Sequence, residues 1–148
     1  MNSIDKHVAH AIDGYISAVY TRNVEAFMAL YDPAARVFDT WSTWSYESSS
    51  ARHPTIQSWF SSLGDERVRV RFDEVRITAL GEFACITAFV TYAAESPTGQ
   101  ILRSMQNRLT WVLRLNGDGG VKIIHEHTSV PIDSNLKGIL NRELAGQS

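Results

Sequence analysis

A chain of 148 residues, 44% of them hydrophobic, is the size of one domain and can bury its own core. A formal charge of −2 and a pI near 6.2 exclude a strong electrostatic pull toward nucleic acid or an anionic membrane. No apolar run reaches the roughly 18 residues of a membrane span, and the N-terminus lacks a signal-peptide core, so the expectation is a cytoplasmic protein with no membrane partner.

In chain order, Ile4, Val8, Ala11, Ile12, Tyr15, Ile16 and Val19 recur at helical spacing. They predict an apolar stripe on a helix of about five turns, with Asn2 or Ser3 as N-cap. Gly14 within the helix costs stability and marks a close crossing. Asn23 caps a second, short helix carrying Val24, Phe27, Met28 and Leu30. Asp32-Pro33 ends it, because a residue before proline avoids the helical region. Ala35–Thr40 reads as a short strand, followed by the aromatic and polar run Trp41-Ser42-Thr43-Trp44-Ser45-Tyr46 and a serine-rich loop. Pro54 suits the first turn of a third helix, whose Ile56, Trp59, Phe60 and Leu63 share a face and which Gly64 closes.

From there the pattern is all strand. Val68, Val70 and Phe72 alternate with Arg67, Arg69 and Arg71, a solvated basic stripe. The apolar phase then shifts to Val75 and Ile77, which implies a β-bulge and a bend. Phe83–Ala94 is apolar or threonine nearly throughout and predicts a central strand covered on both faces. Cys85 inside it reads as a buried small hydrophobe, not a nucleophile. Gln100–Leu115 and Val121–Val130 flank Asn116-Gly117-Asp118-Gly119-Gly120, a β-hairpin signal. Ser134 caps a last amphipathic helix with Leu136, Ile139, Leu140 and Leu144 on one side. Residues 1–131 form the domain, and 132–148 a C-terminal tail or short helix.

Helices segregated from a meander of antiparallel strands predict an α+β fold, three N-terminal helices lying in the concavity of a curved sheet. That arrangement leaves a cone-shaped hollow for a small molecule.

The hairpin carries the richest chemistry. If Leu115 pairs with Val121, Trp111 faces His125, Leu109 faces His127, and Arg108 faces Thr128. Strand alternation then puts Leu109, Trp111, Leu113, Ile123, His125 and His127 on one face, and Arg108, Thr110, Val112, Ile124, Glu126 and Thr128 on the other. Apolar residues on both faces ask for two covers. The helices supply one, and a second copy of the chain, in a homodimer through the sheet, is expected to supply the other. Arg108 and Glu126 are the expected cavity pair: a guanidinium beside a carboxylate either anchors a substrate acid or amide bidentately or ties two strands together. His125 and His127 at i, i+2 are too few to hold a metal without a third ligand, and no HExxH or second HxH supplies one. No metal and no cofactor is expected.

The run Val121-Lys122-Ile123-Ile124-His125-Glu126-His127-Thr128-Ser129, closing before Pro131, resembles the usual end of the SnoaL-like branch of the nuclear transport factor 2-like superfamily, with Val121 where tryptophan is common. Arg108-Leu109-Thr110 matches an Arg-x-Thr on the preceding strand, and the resemblance spans about Asp5 to Pro131. Asp32-Pro33 and Ala84-Cys85-Ile86 are similar to the association (hub) domain of calmodulin-dependent kinase II. The resemblance implies a cone-shaped fold, but the superfamily holds isomerases, cyclases, dehydratases, epoxide hydrolases and non-catalytic assembly domains, so the fold does not carry one function. The kinase hub binds small acids through cavity arginines. Of those, Arg108 is matched, while Val90 and Thr128 stand at the other positions, so a hub role does not transfer.

In the resembling enzymes an acid near Asp39 commonly sits at the cavity mouth. Beside Trp41 and Trp44 its carboxyl would be partly desolvated, which raises a pKa toward the general-base range. The candidate catalytic residues are therefore Asp39 and Glu126. The candidate ligand contacts are Tyr15, Trp41, Trp44, Trp59, Arg108, Thr110, Thr128 and His127. The leading reading is a protein that binds a small, mostly apolar organic ligand in the cone, with or without turnover. The alternatives are an isomerase, cyclase or dehydratase with an Asp base, and a non-catalytic dimerisation module.

Overall fold

The computed structural model describes residues 3–118 and 120–145. Helix α1 (Ser3–Tyr20) buries Val8, Ala11, Tyr15, Ala18 and Val19 along the predicted stripe. Ser3 is already helical, so it is not the N-cap, and Asn2 lies outside the described residues. The left-handed Arg22 (φ 56°) turns the chain into α2 (Val24–Ala29), where the Asn23 side chain accepts from the Ala26 N–H at 2.9 Å. Gly14 does mark a crossing: a Cβ there would lie 2.9 Å from Leu30 Cδ2. Helix α3 (His53–Ser62) follows a short 3-10 turn, Ser49–Arg52, and ends before Gly64 at φ +60°, the left-handed position that favours glycine.

Five strands form one curved sheet in the order β1-β5-β4-β3-β2. They are β1 (Tyr31–Phe38), β2 (Arg67–Leu80), β3 (Phe83–Glu95), β4 (Ile101–Leu115) and β5 (Val121–Ser129). The class is the expected α+β, but the sheet is mixed: β1 runs parallel to β5. The first strand also starts earlier than expected, at Tyr31. Pro33 is accommodated because β1 is the edge strand of the sheet, its outer side meeting only an isolated bridge between Val37 and Tyr46.

The predicted bulge in β2 is present. Its register against β3 shifts between Asp73 and Arg76, with Glu74 at φ 53°. The expectation for β3 needs correcting. Its residues alternate between buried and exposed from Phe83 to Ala88, and Cys85 is exposed on the convex face. β-Branched and threonine residues suit a half-covered strand as well as a buried one, so composition alone did not separate the two.

The concave face carries the core. Ala84, Ile86, Val90, Leu109, Trp111, Leu113 and Ile123 pack against α1, α2 and α3, with Trp111 wholly buried. Tyr15, Phe27, Phe72 and Trp111 make edge-on and tilted ring contacts at centroid distances of 5.3–5.8 Å.

The tail does not form the helix expected from Ser134. Asp133 Oδ1 accepts from the N–H groups of Asn135 and Lys137, at 2.8 and 3.0 Å, and Leu136 sits at φ 63°. A side chain that satisfies these amides locally competes with a helix. Instead the tail docks on β4 where β5 has ended: Gln106 N–H donates to the Leu140 carbonyl at 2.8 Å, and Arg142 pairs with Glu74. The short turn Arg142–Leu144 is 3-10. No described helix is long and apolar enough to cross a membrane.

Candidate functional site

The sheet and helices enclose a cavity of about 570 Å³. Helices α1 and α3 contribute Tyr15, Thr55, Ile56 and Trp59. The strands contribute Val68, Tyr92, Ala94, Met105, Asn107, Glu126 and Thr128, while Asp39, Trp41 and Arg52 come from the segments around β1 and α3. Leu140 of the tail closes part of the wall. The volume lies in the usual range for small-molecule sites, about 300–1,000 Å³.

The polar centre is organised by Arg52, whose side chain is only 9% exposed. It pairs with Glu126 at 3.1 Å and with Asp39 at 3.5 Å. The Glu126 carboxylate also accepts from the Tyr31 hydroxyl at 2.5 Å and from Trp111 Nε1 at 2.9 Å. Asp39 accepts from the Trp41 N–H at 3.1 Å through its other oxygen. Both carboxylates are therefore engaged. Burial works against the Arg52 charge, but the facing Glu126, Tyr31, Tyr15 and Asp39 outweigh it and hold the pKa above its ordinary value.

A second polar group lies beside the first. The Tyr15 and Tyr92 hydroxyls share a hydrogen bond of 2.9 Å. Burial pushes the Tyr15 and Tyr31 phenols well above 10.0 and Tyr92 up to about 12, the bond from Tyr15 partly opposing the last. All three remain neutral donors near neutral pH. Among the described residues, two buried polar atoms of the cavity wall have no partner: Arg52 Nε and Asn107 Oδ1.

Several sequence-based expectations meet here and several do not. Asp39, Glu126, Tyr15, Trp41, Trp59 and Thr128 line the cavity. Trp44 does not line it and is 96% exposed. Arg108, Thr110 and His127 are not in its wall; Arg108 is exposed and bonds Ser129 Oγ at 3.1 Å. The expected Arg108–Glu126 pair is thus corrected: its members point to opposite faces. The cause is a bulge. Leu115 does pair with Val121 and Leu113 with Ile123, but Val112 pairs with His125, so Ile124 is an extra residue. Beyond it the register is one residue off the straight pairing, Trp111 meets Glu126, and both Ile123 and Glu126 point inward.

His125 and His127 are turned outward. His125 Nδ1 bonds the Arg36 carbonyl at 2.7 Å, and both rings pack edge-on against Phe38. Among the described residues no three His, Cys, Asp or Glu side chains gather into a metal-binding group. Sequence reasoning missed Arg52, Tyr31, Tyr92 and Asn107. Arg52 left one trace: it stands at the start of a helix, where the dipole disfavours a cation, so its charge is needed by something else.

Residues 8–133 match the family model of the SnoaL-like domain. A search of curated proteins gives no match. Among solved structures, a nuclear transport factor 2-like protein of unknown function from Pseudomonas putida KT2440 is 19% identical, with a TM-score of 0.77 over 92% of this chain and 93% of that one. A candidate calcium/calmodulin-dependent protein kinase II association domain from Xanthomonas campestris is 21% identical, with a TM-score of 0.68 over 82% and 84%. A candidate aromatic ring hydroxylase from Novosphingobium aromaticivorans is 15% identical, with a TM-score of 0.64 over 90% and 91%. At these identities the likeness is one of fold.

Proposed function

The chain belongs to the SnoaL-like domain family, and from that premise we propose that it binds a small, mostly apolar organic molecule in the cavity under the sheet. The observation that carries this reading is an open cavity of about 570 Å³, with apolar walls and a few fixed polar groups at one place. A module kept only for assembly has no need of such a hollow and would fill it with side chains. Base catalysis has less support, because Asp39 and Glu126 both spend their charge on Arg52. The domain works as a homodimer, with the convex face of the sheet, where Phe83 and Cys85 are exposed, against a second copy.

Calorimetric titration with a panel of uncharged two-ring aromatic compounds tests the binding. One-to-one saturation is expected. Ala94→Phe, which pushes a ring into the cavity from its wall, should abolish it. Binding unchanged in that variant would place the ligand elsewhere and overturn the reading.

A further inference from the structure

The ligand class follows from the charges and unpaired atoms of the cavity. We infer that the site selects an uncharged ligand carrying an O–H or N–H donor and discriminates against carboxylates; this rests on the binding reading above.

The first ground is charge. Two buried carboxylates, Asp39 and Glu126, face one guanidinium, Arg52, so the cluster is formally −1. Arg52 spends both its terminal nitrogens on them. Arg103, the other cation in the wall, has a 62% exposed side chain and is held by Glu66 at 2.7 Å. An anionic ligand would leave water to meet like charge in a poorly solvated hollow, where among the described residues both wall cations are already paired with carboxylates.

The second ground is the unpaired atoms. Asn107 is 7% exposed, and its Oδ1 has no partner. That atom is the amide oxygen, which can only accept a hydrogen bond. A buried acceptor without a donor is costly, so a ligand that brings one gains what the empty site lacks. Arg52 Nε is the complementary unpaired donor, suited to a neutral carbonyl or hydroxyl oxygen.

Three near-isosteric probes separate these grounds: naphthalene-2-carboxamide, its methyl ester analogue methyl 2-naphthoate, and 2-naphthoate, titrated calorimetrically into the full chain near neutral pH. The amide should bind about tenfold or more tighter than the ester, which has no donor, and tighter than the carboxylate by a larger factor. Asn107→Leu should erase the preference of amide over ester, while Asn107→Asp, which keeps an acceptor, should retain it. Asp39→Asn, which brings the cluster formally to zero, should narrow the gap between amide and carboxylate. The wild-type ranking needs no variant to fold. Equal binding of amide and ester, or a carboxylate bound as tightly as the amide, overturns this inference and leaves the cavity-binding reading standing. Failure of all three to bind overturns both.

Discussion

Replacing Arg52 with methionine tests the organisation of the polar centre. The substitution keeps much of the stem volume and removes the charge. At 3.1 Å, and with an effective dielectric of about 20, the lost attraction to Glu126 is about 5 kcal/mol; Asp39 at 3.5 Å adds a comparable amount. Against this, the guanidinium no longer has to be desolvated, which returns several kcal/mol. Glu126 also keeps its bonds from Tyr31 and Trp111. The net cost should be about 3–5 kcal/mol, the usual result of breaking one side of a buried pair. A domain of this size is stable by about 5–15 kcal/mol, so the variant should fold but unfold at visibly lower urea. Arg108→Met, on the exposed face, should change stability by about 0.5 kcal/mol or less. A cycle with Glu126→Gln should show the double variant losing less than the sum of the singles. A cost for Arg52→Met below about 1 kcal/mol, or strict additivity in that cycle, would refute the reasoning.

Three other outcomes are expected. Burial raises the pKa of Tyr15 and Tyr31 well above 10.0 and takes Tyr92 to about 12. The folded chain therefore keeps protons that the unfolded chain gives up above about pH 10, so stability is full below that pH and falls as pH rises toward about 12. Tyr92→Phe should flatten that slope in urea titrations; ionisation of Tyr92 near pH 10 in the intact fold would sink the argument. Trp41→Ala should weaken ligand binding measured calorimetrically while Trp44→Ala leaves it unchanged, since only Trp41 reaches the cavity, and equal effects would contradict the placement. Sedimentation should give twice the chain mass of 16.6 kDa, and a monomer at micromolar concentration would remove the dimer.

The elements most legible in the sequence were those written in local periodicity. The stripe of α1, the Asn23 cap, the face of α3 with Gly64 behind it, and the phase shift in β2 all reflect neighbouring residues. Relations set by distant partners were harder. Nothing near Tyr31 announces a parallel partner some ninety residues on, in the strand from Val121. Asp39, Tyr15 and Trp59 could be placed at the hollow because their own elements carry them there. Arg52 acquires its role only when the turn before α3 meets β5, and Asn107 only when β4, paired to β3 at Val90, forms part of the cavity wall. The hairpin shows the limit most sharply: its turn pairing was readable, but the extra residue beyond it was not.

That extra residue makes the polarity of the cavity a question of parity. Straight pairing of the same hairpin would set His125 and His127 opposite Trp111 and Leu109 and turn Glu126 to the convex side; the bulge at Ile124 exchanges the two sets. Strand β5 is thus ambivalent, carrying an acidic lining and an imidazole lining one step apart. Deleting Ile124 would remove the bulge yet keep Glu126 against Trp111, whereas adding one residue after Ile124 would offer the histidines to the interior. Within this architecture, one residue inserted after Ile124 with the bulge kept can recast the site from carboxylate to imidazole chemistry without altering any side chain that takes part.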